Sequence, residues 1–279
     1  MMDMNGQPEQ GSFIEKVLEE YYKYFSLNVI DVDIMFSSRI SDAVMKIRPD
    51  YLDGEIRTRP EEIDKYRGMI IPPREREGKF TIVISYYYLL DSCQRDDFQW
   101  VGTLVHEMTH VQDYVEYADM HDMKSYDKIQ RRIEHRPFAL WTEFNAKAKG
   151  YFFMSKYQYS ESYTDIYDKT HTDFILQKEL PFQIKAFNKS CSAAEGNMDE
   201  QLYSTMQFLG RYSVWENLFP NIFDKNMREK VMEGNKQMYN LYLFLIEHQK
   251  LEDADKEWDK MMEAIGGNYY KHWARFKAE

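Results

Sequence analysis

Cysteine is nearly absent from this chain of 279 residues. Its two copies, Cys93 and Cys191, are too few for a disulfide framework and form no C-x-x-C pair, so a reducing compartment is expected. No apolar run approaches the length that spans a bilayer. Residues 1–11 are polar and lack the basic start and apolar centre of a signal peptide. The expectations are therefore a soluble cytoplasmic protein and no membrane partner. Positive charge is also scarce: 36 Lys and Arg stand against 47 Asp and Glu, a net charge of -11. A nucleic-acid binder needs a basic footprint, so no nucleic-acid partner is expected, although a local patch such as Gln130-Arg131-Arg132 can still occur. Internal repeats and low-complexity segments are missing as well.

What the chain does have is 43% hydrophobic and 16% aromatic residues, enough to bury a substantial core. It also has Val105-His106-Glu107-Met108-Thr109-His110, inside a helix-shaped pattern from about Asp96 to Ala118. Two imidazoles four residues apart lie one above the other on a helix, so His106 and His110 can reach one metal ion. Catalytic zinc sites use three protein ligands and leave one position for water, and an adjacent carboxylate can take that water's proton. The spacing H-E-x-x-H supplies two ligands and the base, Glu107. Asp96 is placed to cap this helix, with Gln99 three residues on. Val101, Leu104, Met108, Val111, Val115 and Ala118 make its apolar stripe, and His106, His110, Asp113 and Tyr117 the opposite one.

Upstream, Ser12 is a candidate cap for a backing helix to Phe25, with Phe13, Val17, Leu18, Tyr21 and Phe25 on one face. Val29–Phe36 has a half-buried strand pattern, with Ile30, Val32 and Ile34 on one side. Gly68–Ile71 and Lys79–Ser85 follow as two more strands, separated by the turn-forming Pro72-Pro73. On its own pattern, the apolar run Phe80–Ser85 reads as a core strand. Helix, strands and then an H-E-x-x-H helix together resemble the N-terminal half of the zincin metallopeptidases. That resemblance implies that Phe80–Ser85 instead runs along the cleft and pairs with extended substrate.

The third ligand lies downstream, on a helix whose first turn suits Pro137. Along it, Ala139, Ala146 and Gly150 form a stripe of small residues around Glu143. Small residues let another helix approach closely, and so bring this carboxylate to a neighbouring helix's metal. Rivals are Asp113, His121, Glu134 and His135. Asp113 shares the face of His106, but seven residues put it about 10 Å further along, which suits support of a ligand better than ligation. A metzincin would carry Gly at position 113, and here it is Asp. Glu143-Phe144-Asn145-Ala146 resembles the E-x-x-A segment of gluzincin-like regulatory metallopeptidases of the ImmA and IrrE type. This resemblance covers about a third of the chain, and it implies His106, His110 and Glu143 as zinc ligands and Glu107 as general base.

Residues from about 156 onward are helical by pattern, with boundaries expected at Pro181, Gly196-Asn197 and Pro220. Met198–Leu218 and Met227–Lys250 carry apolar core faces. The expected architecture is α+β: a polar tail 1–11, a zincin-like core 12–156 with a small mixed sheet and the metal helix, and a helical lobe 157–279. The expected function is zinc-dependent hydrolysis of a protein or peptide substrate. A second donor for the oxyanion stays open among Tyr114, Tyr117, His135 and Tyr151. The alternative is a non-catalytic zinc-binding scaffold or partner-binding protein. A protease acting on DNA-bound substrates, as in the SprT-like enzymes, is a third possibility that the acidic balance and the Glu ligand count against.

Overall fold

A computed structural model describes residues 10–51, 60–95, 97–129, 133–159 and 169–278. The tail and the cap expected at Asp96 fall largely or wholly outside these residues, as does Gln130-Arg131-Arg132. In chain order the elements are α1 (Gln10–Phe25), β1 (Val32–Ser37), α2 (Ile40–Ile47), α3 (Pro60–Ile63), β2 (Gly68–Ile71), β3 (Phe80–Ser85), α4 (Tyr86–Gln94), α5 (Gln99–Met120) and α6 (Arg136–Tyr159). Then come α7 (Lys169–Phe174), α8 (Leu180–Ala193), α9 (Met198–Leu218), α10 (Lys225–Val231), α11 (Lys236–Glu247), α12 (Leu251–Asp255), α13 (Trp258–Ile265) and α14 (Gly267–Ala278). The fold is α+β, a small mixed sheet followed by helices.

The sheet has the order β1-β3-β2, with β1 parallel and β2 antiparallel to β3. Ile34 and Ile70 both pair with Ile82. The central strand is thus β3, which corrects the resemblance-based expectation of an edge strand there. The physical reason is in its own residues: Phe80, Thr81, Ile82, Val83 and Ile84 are all buried, so both faces are covered and both edges are paired. Among the described residues β2 is an edge strand on the side of α5 and the cleft, where the Ile70 backbone N–H meets Glu107.

Behind the sheet, α5 is sandwiched by α1 and α6. Thr109 Oγ1 donates to the Val105 carbonyl at 2.8 Å, which leaves it to accept from Tyr21 Oη at 3.2 Å and so ties α1 to α5. Helix α5 starts at Gln99, whose N–H donates to Asp97 Oδ1 at 3.2 Å. Gln99 is therefore the first helical residue and not the third. Ser12 lies inside α1 rather than at its start. The expected apolar stripe of α5 is buried except for the half-buried Val115, whereas on the α1 face Val17 and Tyr21 are buried and Phe13, Leu18 and Phe25 half-buried. One continuous apolar cluster runs from Val17 and Tyr21 through Val105, Met108 and Phe153 to Tyr212, Leu245 and Met261, and α6 continues through residue 156.

Pro181 does not break its helix. Residues Ile175–Glu179 form a π-helical turn joining α7 to α8, a widening that accommodates the N–H that proline lacks. Gly196, at φ 83°, and Asn197, whose Oδ1 accepts from the Glu200 N–H at 3.3 Å, divide α8 from α9 as expected. The pattern Met227–Lys250 is two helices and not one. Gly234, at φ 80°, turns the chain and Asn235 Oδ1 accepts from the Met238 N–H at 2.9 Å, restarting it as α11.

Candidate metal centre

His106 and His110 leave α5 one turn apart, and their Nε2 atoms face each other at 3.1 Å. From α6, Glu143 reaches both: Oε1 lies 3.4 Å from His106 Nε2 and Oε2 lies 3.4 Å from His110 Nε2. One ligand atom from each of the three lies within 4.8 Å of the others. The small stripe explains the convergence. A Cβ on Gly150 would stand 2.4 Å from the Gly102 carbonyl oxygen and 3.1 Å from His106 Cβ, so the α5–α6 crossing exists only because position 150 has no side chain. Ala146 is fully buried in the same seam.

The hydrogen bonds behind the ligands set their protonation. Asp113 accepts from Thr142 Oγ1 at 2.6 Å and from Asn145 Nδ2 at 3.0 Å. Thr142 has then used its only proton, so at 3.0 Å it accepts from His110 Nδ1–H, and in the neutral ring His110 Nε2 presents a lone pair to the site. Asp113 thus supports a ligand through Thr142. Burial holds His106 neutral, down to about 3. Burial would raise Glu143, but the two imidazoles outweigh it and keep its carboxyl below the usual range. For His110, burial disfavours the charged ring, yet the Glu143 hydrogen bond and charge prevail and leave it raised. Lone pairs from two imidazoles and a carboxylate converge at one buried point that draws positive charge, and this donor set fits zinc.

Glu107 sits beside the ligands and packs under β2. A Cβ on Gly68 would meet Thr103 Cγ2 at 2.7 Å and Glu107 Cγ at 3.0 Å, so Gly68 makes room for this carboxylate. Burial, with the charge of Glu143 adding to it, pushes Glu107 up to about 7. Its carboxylate opens on a cleft of about 740 Å³ lined by β2, α5, α6, α9 and the α7–α8 turn.

Two residues that sequence reasoning missed come from α9. Gln207 Nε2 donates to Glu143 Oε1. Tyr203, half exposed at the cleft, hydrogen-bonds Glu143, and the Glu143 charge above all raises its phenol well above the ordinary value. Both line the cleft. Helix α9 comes this close because of Gly210, where a Cβ would lie 2.6 Å from the Phe144 carbonyl oxygen. That mid-helix glycine was the available signal.

Three of the four residues considered as oxyanion donors lie elsewhere or are engaged. Tyr117 Oη and His135 Nδ1 bond each other at 2.9 Å in the core. Tyr114 packs on His110 and Phe138. Tyr151 borders the cleft; its hydroxyl oxygen accepts from Trp215 Nε1 at 3.0 Å, which does not use its own proton, so of the four it is the one placed on the cleft. His121 is 2.9 Å from Asp255, and Glu134 lies beside His135.

The fold and site define an α+β protein with a His-His-Glu group, its histidines half-buried and its glutamate buried, of which His106 lines a cleft beside Glu107. No family model, no curated protein and no solved structure matches this chain.

Proposed function

We propose that this protein is a zinc-dependent, gluzincin-like metallopeptidase that hydrolyses peptide bonds in a protein or peptide substrate. The observation that carries this reading is the convergence of His106, His110 and Glu143 beside a fourth group, Glu107, that is aimed into the cleft and needed for no ligation. When bound, zinc supplies a Lewis acid that polarises a carbonyl and acidifies water. Glu107 takes a proton from the water as its oxygen attacks the carbonyl carbon. It then delivers that proton to the amine nitrogen as the C–N bond breaks. Tyr203, kept protonated beside Glu143, would turn its one O–H from that carboxylate to the oxygen that gains charge. The outer edge of β2, an edge strand among the described residues, would give an extended substrate a backbone to pair with, so affinity would be largely independent of sequence at those positions.

Among the described residues no helix is long and apolar enough to cross a membrane. Cys93 and Cys191 are both free thiols, which supports a reducing, cytoplasmic setting.

The test is Glu107→Gln in the full chain. It is expected to fold, to hold zinc as the parent does, and to lose peptide cleavage by roughly a hundred- to ten-thousand-fold, the usual cost of removing a general base. Cleavage at the parent rate would overturn the role of Glu107. A parent chain that holds no transition metal after reconstitution would overturn the metallopeptidase reading itself.

A further inference from the structure

For a chain of net charge -11, one side of the cleft is unexpectedly cationic. Arg67 precedes β2, Lys147 is one turn past Glu143 on α6, and Arg211 comes from α9; all three line the cavity. Other cations there are already neutralised: Arg95 lies 2.8 Å from both Asp91 and Asp97, and Lys65 2.6 Å from Glu62. The remaining three have no such pairing among the described residues. Arg67 Nη1 donates to Gln99 Oε1 at 3.2 Å and its guanidinium lies 4.9 Å from the Tyr88 ring. Arg211 lies 5.1 Å from the Tyr151 ring and donates through Nη1 to Gln183 Oε1, while its Nε is buried with no hydrogen-bond partner. Lys147 is half-buried and makes no ion pair within 4 Å among the described residues. The acidic groups facing them are Glu107 in the lining with Glu143 behind it, Asp97, which is paired with Arg95, and Glu179, which accepts from Gln183 Nε2 at 2.9 Å.

We propose that Arg211, Lys147 and Arg67 form an anion subsite that seats a carboxylate of the bound peptide, one or two residues from the bond that is cut. Lys147 and Arg211 are half-buried and Arg67 is exposed at the rim; for the first two an incomplete set of partners is what a site built for a visiting anion looks like, since taking a charge out of water is costly unless something pairs with it. Burial and the neighbouring charge of Arg211 push Lys147 down to about 7, the strain that a carboxylate would relieve. Spacing sets the position. One helical turn separates Lys147 from Glu143, about 6 Å along α6, and an extended peptide advances about 3.3 Å per residue. The carboxylate has two sources, an acidic side chain or the free C-terminus of a short peptide, and both offer the paired oxygens that a guanidinium fork recognises.

The proposal rests on the peptidase reading for its ligand being a peptide, so its test reads binding rather than cleavage. Fluorescent alanine-rich peptides are titrated into zinc-loaded full-length Glu107→Gln by anisotropy. One pair differs by Glu against Gln within the chain, the other by a free against an amidated C-terminus. Expected is an affinity gain on the order of ten- to a hundredfold for one carboxylate source, lost in Arg211→Gln or Lys147→Met and retained in the charge-conserving Arg211→Lys. The proposal falls if both pairs bind equally, if no peptide binds, or if the preference survives in both charge-removing variants. A clear preference in a protein whose parent form cleaves none of the peptides would refute the peptidase reading and leave the subsite standing.

Discussion

Replacing Gly150 by alanine separates the seam between α5 and α6 from every other property of the chain. The added methyl would have to sit 2.4 Å from a backbone oxygen, Gly102, and 3.3 Å from the His106 backbone nitrogen. Neither neighbour is a flexible side-chain end, so the helices must move apart. Overpacking of this kind costs about 1–3 kcal/mol. Alanine in place of a mid-helix glycine returns about 0.5–1 kcal/mol. The net loss is then on the order of 1–2 kcal/mol, and the unfolding midpoint falls by a few degrees, at about 2–4 °C per kcal/mol for chains of roughly this size. The larger effect is on metal. His106 rides on α5 and Glu143 on α6, and their 3.4 Å approach crosses the same seam. Zinc affinity is expected to fall on the order of tenfold, as when the support of a ligand is disturbed, measured by competition with a coloured chelator. Gly196→Ala is the control: its added Cβ meets nothing within 4 Å but its φ of 83° is left-handed, so it costs stability and leaves zinc alone. The reasoning is refuted if Gly150→Ala keeps both its midpoint and its zinc affinity, or if Gly196→Ala loses zinc to the same degree.

Two further predictions follow from hydrogen-bonded groups. Thr142→Val removes the acceptor for His110 Nδ1–H and the donor to Asp113 together; zinc affinity should drop about ten- to a hundredfold, and unchanged chelator competition would show that this relay does not orient His110. At the other end of the sheet, Arg48, 2.8 Å away, and Arg74, also at 2.8 Å, hold the Asp50 carboxyl down to about 2. A folded-state value below the unfolded one means stability that is present above about pH 4 and lost as pH falls toward 2. Acid titration of the unfolding midpoint should therefore be shallower in Asp50→Asn, and an unaltered profile would remove this cluster from the account.

The meeting of His106, His110 and Glu143 was legible because each part of it is local. A four-residue spacing puts His106 and His110 on one face whatever the rest of the chain does, and a run of small residues around Glu143 marks a close helix approach before its partner is known. The strands were legible for the same reason. Their order was not, since strand order depends on contacts between segments far apart in the chain. Even so, the run Phe80–Ile84, apolar but for Thr81, pointed to a core strand by itself, and only the expectation borrowed from the zincins placed it at an edge. The helix boundaries show which local signals dominate. Gly234 followed by Asn235 overrode an apolar repeat that continued across them, because a left-handed residue and a cap end one helix and start another. Pro181 did not override its neighbours, because one π turn absorbs a missing donor.

The α9 contribution was hidden by the same periodicity that revealed the helix. Leu202, Met206, Leu209 and Tyr212 are buried as an apolar face should be, and that pattern assigns the remaining stripe, Tyr203, Gln207, Gly210 and Arg211, to solvent by default. A polar stripe facing water and one facing a wet cleft have the same hydrophobic period, so the pattern cannot tell them apart. Net charge hides the cations in a similar way. A total of -11 is a sum over the whole surface, whereas a bound anion feels the few groups within about a Debye length, about 8 Å at physiological salt. Arg67, Lys147 and Arg211 are separated by 80 and 64 positions in the chain, so no window of sequence contains them together. Gly210 joins the two problems. Its bare backbone against Phe144 and Lys147 is what carries Tyr203 and Gln207 to Glu143 and Arg211 to the side of Lys147, and a glycine placed in mid-helix against its own propensity was the one mark of this in the sequence.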